Sequence, residues 1–269
     1  MRGKINTYNN QVGGQTPMFT RYNSSDELIV LKPSTEREIN FYQNIYPKLT
    51  KLQKYIPKFF GVEDIDKAKL LEMSNKAYGL IKLENLTCQY SKPCILDLKM
   101  GIRQHGHDAT IEKIKSMTVK CNTTTSSSLG FRFCGMEVFN NITKQSEKWD
   151  KYYGREIKDY QVIDNLITFF NTGNKIHYQT IEKLIVELNE LKSIFMSDEI
   201  SKYRFWSCSL LIIYDATNDN KNFDIRLIDY AHTCHIDEID KSENITGVDD
   251  GMIKGLTNLI NRMKTIIKK

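Results

Sequence analysis

The apolar positions fall into short clusters, and their spacing changes along the chain. Leu28-Ile-Val-Leu31 reads as a short buried strand ending at Lys32, with Pro33 expected to break it. Thr35-Glu-Arg-Glu38 has the form of a capping box, with Thr35 as N-cap and Glu38 at N3. The helix that it opens carries Ile39, Tyr42 and Tyr46 on one face. Phe59-Phe60-Gly61 precedes an expected strand, Tyr78–Leu83, which runs directly into Glu84-Asn85-Leu86. A further strand, Cys94–Leu98, ends at Lys99-Met100-Gly101.

A basic, polar stretch follows from Arg103 to Lys120, and the Ser/Thr-rich residues 122–128 read as a loop. Phe131–Phe139 alternates enough to suggest a strand pair. Ile181, Leu184, Ile185, Leu188, Leu191, Ile194 and Phe195 repeat at helical spacing and predict a helix over 180–196. Another, over about 157–170, has Ile163, Leu166, Ile167 and Phe170 on one face. Phe205–Tyr214 reads as a buried strand that forms a hairpin with Phe223–Ile228, and the hairpin ends at Asp229. The last helix begins near Asp249-Asp250 and buries Ile253, Leu256, Leu259, Ile260 and Met263.

Strands dominate the first hundred or so residues and helices much of the rest, so the expected fold class is α+β in two lobes. Residues 1–24 are expected to be a partly disordered tail, 25–86 an N-terminal lobe, and 87–269 a C-terminal lobe. No internal repeat is evident.

Composition adds little that contradicts this. The chain has 269 residues, 40% hydrophobic and 26% charged, which is ordinary for a folded domain. No apolar run approaches the ~20 residues of a membrane helix, and the N-terminus has no apolar signal core. The net charge of +5 favours an anionic partner without choosing one. Six scattered cysteines form no Cys-x-x-Cys pair, and they read as buried thiols of a cytosolic or nuclear protein. The Asn-x-Ser/Thr triplets that start at Asn122, Asn141 and Asn244 are read as chance. His105, His107, His235 and Cys234 fit no zinc spacing.

Four segments carry candidate chemistry. A strand lysine, Lys32, and a helix glutamate, Glu38, are the types that pair over nucleotide phosphates in two-lobed kinases. An edge-strand lysine and a cap glutamate would look the same. Glu84-Asn85-Leu86 can form an inter-lobe hinge that reads an adenine edge through its backbone, or an ordinary surface loop. Asp97 and Lys99 point to one face of a strand end. They either pair with each other or divide the work, Asp97 accepting from sugar hydroxyls and Lys99 holding a phosphate. Asp229 follows a buried strand, where a carboxylate can hold Mg²⁺ against phosphates, or simply end a turn.

Taken together, these segments resemble a known family. Pro93-Cys-Ile-Leu-Asp97-Leu-Lys99-Met-Gly101 matches the Pro-x-x-x-Asp-x-Lys-x-Gly pattern of the inositol polyphosphate kinases. Ser207-Cys-Ser-Leu-Leu211 resembles their Ser-Ser-Leu-Leu segment, with Cys208 as a departure. Ile228-Asp229-Tyr230 resembles Ile-Asp-Phe, with Tyr230 as a departure, and Asp250–Leu256 resembles Asp-x-x-x-x-Gly-Leu. Leu83–Leu86, Leu96–Asp108, Gly130–Met136, Lys151–Arg155 and Tyr203–Ser207 look closest to the inositol hexakisphosphate kinases.

The resemblance implies a fold distantly similar to protein kinases, with ATP between the lobes. It implies adenine at Glu84, Asn85 and Leu86, ribose on Asp97, and ATP phosphates at Lys32. Mg²⁺ would be held by Asp229 with help from Ser209. Lys99 and Asp229 would serve catalysis, and inositol phosphates would meet Lys99, Lys113 and His232, with an inositol-phosphate segment at about 103–135. Arg103, Lys120, Arg132 and Arg204 are added because they are basic and fall inside matching segments. His232 could equally be a satisfied structural histidine. The expected activity is phosphorylation of InsP6 to a diphosphoinositol product by a monomer that engages neither nucleic acid nor a membrane. Alternatives are a multikinase acting on hydroxyls of lower inositol phosphates and a non-catalytic inositol-phosphate-binding protein.

Overall fold

A computed structural model describes residues 5–13, 17–21, 29–217 and 223–268. The first lobe is built on β1 (Ile5–Thr7), β2 (Phe19–Arg21), β3 (Ile29–Ser34), α1 (Glu36–Asn40), β4 (Phe59–Glu63), α2 (Lys67–Met73) and β5 (Gly79–Glu84). Its five strands form one antiparallel sheet in the order β1-β2-β3-β5-β4. The segment expected to be a tail therefore supplies two strands, while residues 1–4, 14–16 and 22–24 lie outside the described residues.

Pro33 does not break β3, which continues to Ser34. The Ser34 carbonyl accepts from the Tyr78 amide at 2.9 Å, so alternation turns Pro33 to the opposite edge. There β2 pairs only with Val30 and Leu31, and a residue without an N–H loses no ladder bond. Thr35 caps α1 by accepting from the Glu38 amide at 3.3 Å. The helix then loosens into a π-helical turn over Phe41–Ile45. This wider turn brings Phe41 inside as well as the expected Ile39 and Tyr42.

The second lobe contains β6 (Pro93–Met100), α3 (Ile111–Asn122), α4 (Thr125–Leu129), β7 (Phe131–Asn140), β8 (Gln145–Trp149), α5 (Lys151–Glu156), α6 (Val162–Phe170), α7 (Tyr178–Phe195), α8 (Asp198–Ser201), β9 (Tyr203–Phe205), β10 (Ser209–Asp215), β11 (Phe223–Ile228), β12 (Thr233–His235) and α9 (Asp250–Ile267). A five-stranded antiparallel sheet runs β11-β10-β6-β7-β8. Helices α6, α7 and α9 pack together beside it and complete the main core.

Three expectations change here. Phe131–Phe139 is part of one ten-residue strand, not a pair, and it lies between β6 and β8 in the sheet. It is covered on both faces, so apolar residues do not alternate cleanly. Residues 122–128 are not a loop, because α4 fills most of them. Thr124 caps it, Gly130 closes it at φ +76°, and the hydroxyls of Thr124, Thr125 and Ser126, which suggested a loop, are buried and bonded. Thr125 donates to the Phe131 carbonyl at 2.8 Å, and Ser126 accepts from Gln104 at 3.1 Å. Gly130 also lies against the backbone of Gly255 on α9, an approach that a Cβ would block. Finally, the strand expected over Phe205–Tyr214 is split into β9 and β10, with Ser207 between them in the left-handed region at φ +59°.

Candidate active site between the lobes

Four elements deliver side chains to the cleft. β3 carries Lys32, α1 carries Glu38, β6 carries Asp97 and Lys99, and the end of β11 leads into Asp229. Lys32 Nζ donates to Glu38 Oε1 at 2.6 Å and to Asp229 Oδ1 at 2.8 Å. Lys99 Nζ donates to the other oxygen of Asp229 at 3.0 Å and to the Ser207 carbonyl at 2.9 Å. One carboxylate thus joins a lysine from each lobe. The second half of the expected capping box does not form, because Glu38 turns to Lys32 and also accepts from the Tyr230 amide at 3.3 Å.

Asp229 itself sits at φ +68°, a left-handed conformation that aspartate tolerates better than most residues. The turn aims its carboxylate at both lysines.

Electrostatics follow from this packing. Burial works against charge on Asp229, but Lys32 and Lys99 overcome it and hold the carboxyl well below its usual range. Burial also opposes charge on the two lysines. The attraction of Asp229 first, then of Glu38 for Lys32 and of Cys134 and Asp97 for Lys99, lifts both above the ordinary lysine value. Asp97 is shifted the other way. Burial raises its pKa, with Lys99 pulling it down and Asp229 pushing it up. The two acids of the site are therefore driven apart. Ser209 is fully buried, and among the described residues neither its hydroxyl nor Asp97 Oδ1 has a hydrogen-bond partner.

The cleft encloses about 310 Å³, and its lining combines apolar Val30, Leu83, Leu86 and Ile95 with Lys32, Asp97, Lys99, Asp229 and His232. Glu84 and Leu86 border it, with Thr87. The Asn85 side chain turns elsewhere, accepting from the Thr87 amide at 3.1 Å and from Tyr8 at 3.2 Å. Asn85 thus shapes the hinge without facing the cavity.

Beyond Lys99 the cations continue. Arg132 stands beside Lys99 across the β6–β7 ladder and donates to Ser126 at 3.1 Å. Lys120 on α3 has its pKa lowered by burial and then by Arg155, Arg132 and Lys113. The neighbouring positive charges thus disfavour its own. His232 is likewise lowered by burial, then by Lys113 and Arg37. Arg155 and Arg37 were not singled out in the sequence, although Arg155 closes the matching Lys151–Arg155 segment. Arg37 is ion-paired to Asp108 at 2.7 Å.

Two expected substrate residues go elsewhere. Arg204 is buried and donates to the carbonyls of Ser201, Tyr203, Thr246 and Gly247. Arg103 stacks on Trp206 at 3.6 Å and pairs with Glu243. Both line a separate hollow near Asn244–Thr246, so their charge serves that loop and not the cleft. Their basic character alone had nominated them.

Lys32, Glu84, Leu86, Asp97, Lys99, Asp229 and His232 line one cleft, and with the antiparallel sheet of each lobe they define a two-lobed, kinase-like protein. The chain belongs to the inositol polyphosphate kinase family, whose model, "Inositol polyphosphate kinase", matches residues 80–264. It is 37% identical over 207 residues to inositol hexakisphosphate kinase 3 of Mus musculus, a match covering 71% of this chain and 52% of that protein. It is 36% identical over 218 residues to inositol hexakisphosphate kinase 2 of Rattus norvegicus, covering 68% of this chain and 51% of that protein. The chain thus spans about half the length of the curated relatives it matches. Among solved structures it superposes on the inositol phosphate multikinase Ipk2 of S. cerevisiae, determined with ADP and Mn²⁺. That match has a TM-score of 0.73 and 25% identity, and covers 89% of this chain and 99% of the other.

Proposed function

We propose that this chain is an ATP- and Mg²⁺-dependent inositol phosphate kinase, and that its acceptor is InsP6, converted to a diphosphoinositol pentakisphosphate. The observation that carries the reading is the Lys32–Asp229–Lys99 bridge, with a cationic cluster beginning where Lys99 ends. Nucleotide phosphates and a polyanionic acceptor repel each other, and a site that joins them needs cations on both sides. The resemblance to proteins named inositol hexakisphosphate kinases supports the choice of acceptor.

In this reading the apolar wall at Leu83 and Leu86 takes adenine, with the backbone of Glu84–Leu86 at its edge. Asp97 accepts from the sugar hydroxyls, and Lys32, steadied by Glu38, binds the phosphates. Among the described residues no cluster of three metal-ligating side chains forms. Asp229 nevertheless fits a nucleotide-bound Mg²⁺. It is an ionised hard-oxygen ligand, and such an ion takes its other ligands from phosphates and water. Mg²⁺ would there neutralise charge that develops on the transferred group. Ser209, whose buried hydroxyl has no hydrogen-bond partner among the described residues, would help Asp229 hold the ion.

Lys99, Lys113, Lys120, Arg132, Arg155 and His232 would orient the acceptor. A phosphate oxygen of InsP6 is already anionic, so the site needs no strong general base, and orientation supplies much of the rate. A cytosolic or nuclear location agrees with the free cysteines.

Incubation with ATP, Mg²⁺ and InsP6, followed by anion-exchange separation, should yield a more anionic inositol species. Reaction of lower inositol phosphates alone would move the assignment to a multikinase. Absence of Mg-ATP binding by calorimetry would leave only a binding protein.

A further inference from the structure

The N-terminal segment crosses the cleft wall at one specific place. Tyr8 OH lies 2.7 Å from Thr87 Oγ1, and Asn10 donates to the same hydroxyl at 3.0 Å. Gln11 ties the turn together, donating to the Gly13 carbonyl and accepting from the Met18 amide, both at 2.9 Å. Val12 packs on the small apolar cluster of Leu86, Ile95 and Ile213. The strap is therefore anchored to the hinge at one end and to the second lobe at the other.

It comes to rest over the β6–β7 ladder where Asp97 faces Gly135. A Cβ on Gly135 would strike the Val12 carbonyl, and a Cβ on Gly13 would strike the Asp97 carboxylate. Two missing side chains, one on the strap and one on the strand, permit this crossing. The one on the strap leaves Asp97 its position.

We infer that Gly13 is a positioning residue for nucleotide binding: its bare Cα walls the Asp97 carboxylate into the orientation that faces the cleft. The inference rests on the reading of Asp97 as the acceptor for sugar hydroxyls. A side chain at position 13 turns that carboxylate aside and weakens nucleotide without touching the acceptor's cations.

The test is a double-mutant cycle on the full chain with ADP affinity read by calorimetry. Gly13→Ala should weaken ADP about tenfold, which is ~1.4 kcal/mol. It should raise KM for ATP correspondingly and leave KM for the inositol phosphate within about twofold. In an Asp97→Ala background the same change should cost less than about twofold, because no carboxylate remains to be displaced. The thermal midpoint without nucleotide should follow the same pattern, lowered by Gly13→Ala only when Asp97 is present. Unchanged ADP affinity in Gly13→Ala, or an equal loss in both backgrounds, overturns the inference. Asp97→Ala with undiminished ADP affinity instead sinks the sugar-hydroxyl reading, and the nucleotide role of Gly13 falls with it.

Discussion

Lys32 and Asp229 stand 197 positions apart in the chain and 2.8 Å apart in the folded protein. One comes from the sheet of the first lobe and the other from the end of the β10–β11 hairpin in the second. Their ion pair bridges the two lobes at the cleft. It also keeps an anion ionised among groups that burial would otherwise neutralise.

Asp229→Asn tests that pair directly. Asparagine accepts the left-handed backbone at this position, so the chain should still fold. Lys32 and Lys99 then lose their shared anion, and the thermal midpoint should fall. Turnover should drop by more than about a hundredfold, the scale of one preorganised charge. Near-native activity would show that the carboxylate is not the one the reaction uses.

The acid side of the stability curve should carry the same residue. The folded pKa of Asp229 is depressed, so its stabilisation is complete above the ordinary carboxylate value of about 3.9. It is lost as pH falls through the folded value. Denaturant titrations at descending pH should therefore show a steeper loss in the wild type than in Asp229→Asn. Parallel curves would refute the assignment.

Asp97→Asn should behave in the opposite sense. Burial raises the folded pKa of Asp97, so its ionised form at neutral pH costs stability. A neutral amide of the same shape removes that cost. Differential scanning calorimetry should find a midpoint a few degrees higher, while affinity for ADP declines. A lower midpoint would mean that Lys99 more than compensates for the buried charge.

His232 predicts proton uptake. Burial, Lys113 and Arg37 hold it below the ordinary histidine value, so it is neutral near pH 7. A bound polyanion reverses the local field and favours the charged ring. Titration calorimetry of inositol phosphate in buffers of different ionisation enthalpy should report uptake between about pH 6 and 7, around the ordinary histidine pKa. His232→Gln should abolish the buffer dependence. If uptake survives that change, another group titrates.

Lys113 and Arg204 should separate affinity from stability. Lys113→Ala should raise KM for the inositol phosphate several-fold, more at low salt than at high. Arg204→Ala should lower the thermal midpoint with KM unaltered, because it orphans the carbonyls of Ser201, Tyr203, Thr246 and Gly247 at a cost of about 1–3 kcal/mol. The reverse pattern would show that the two arginine and lysine roles have been exchanged.

Local sequence carried much of this molecule. The helical spacing of Ile181, Leu184, Leu188 and Leu191 predicts α7 because burial follows the helical period. Alternation and the turn-rich link predict the β10–β11 hairpin. The motif Asp97-Leu-Lys99 places both side chains on one face of β6 wherever that strand lies. By contrast, β7 and α4 escaped because full burial erases alternation and lets serine and threonine hydroxyls bond inside a helix. Nor does Thr35-x-x-Glu38 reveal that its glutamate leaves the cap for Lys32, a partner that only folding supplies.

The sequence by itself determined which residue types were available and which short elements carry them, since propensity, capping and periodicity act over a few positions. Tertiary structure alone decided that Asp229 lies between Lys32 and Lys99, that Arg103 and Arg204 belong to another surface, and that Gly13 meets Asp97. Those contacts join residues far apart in the chain. They depend on how two sheets and their connections pack, and distance in space is not written in distance along the sequence.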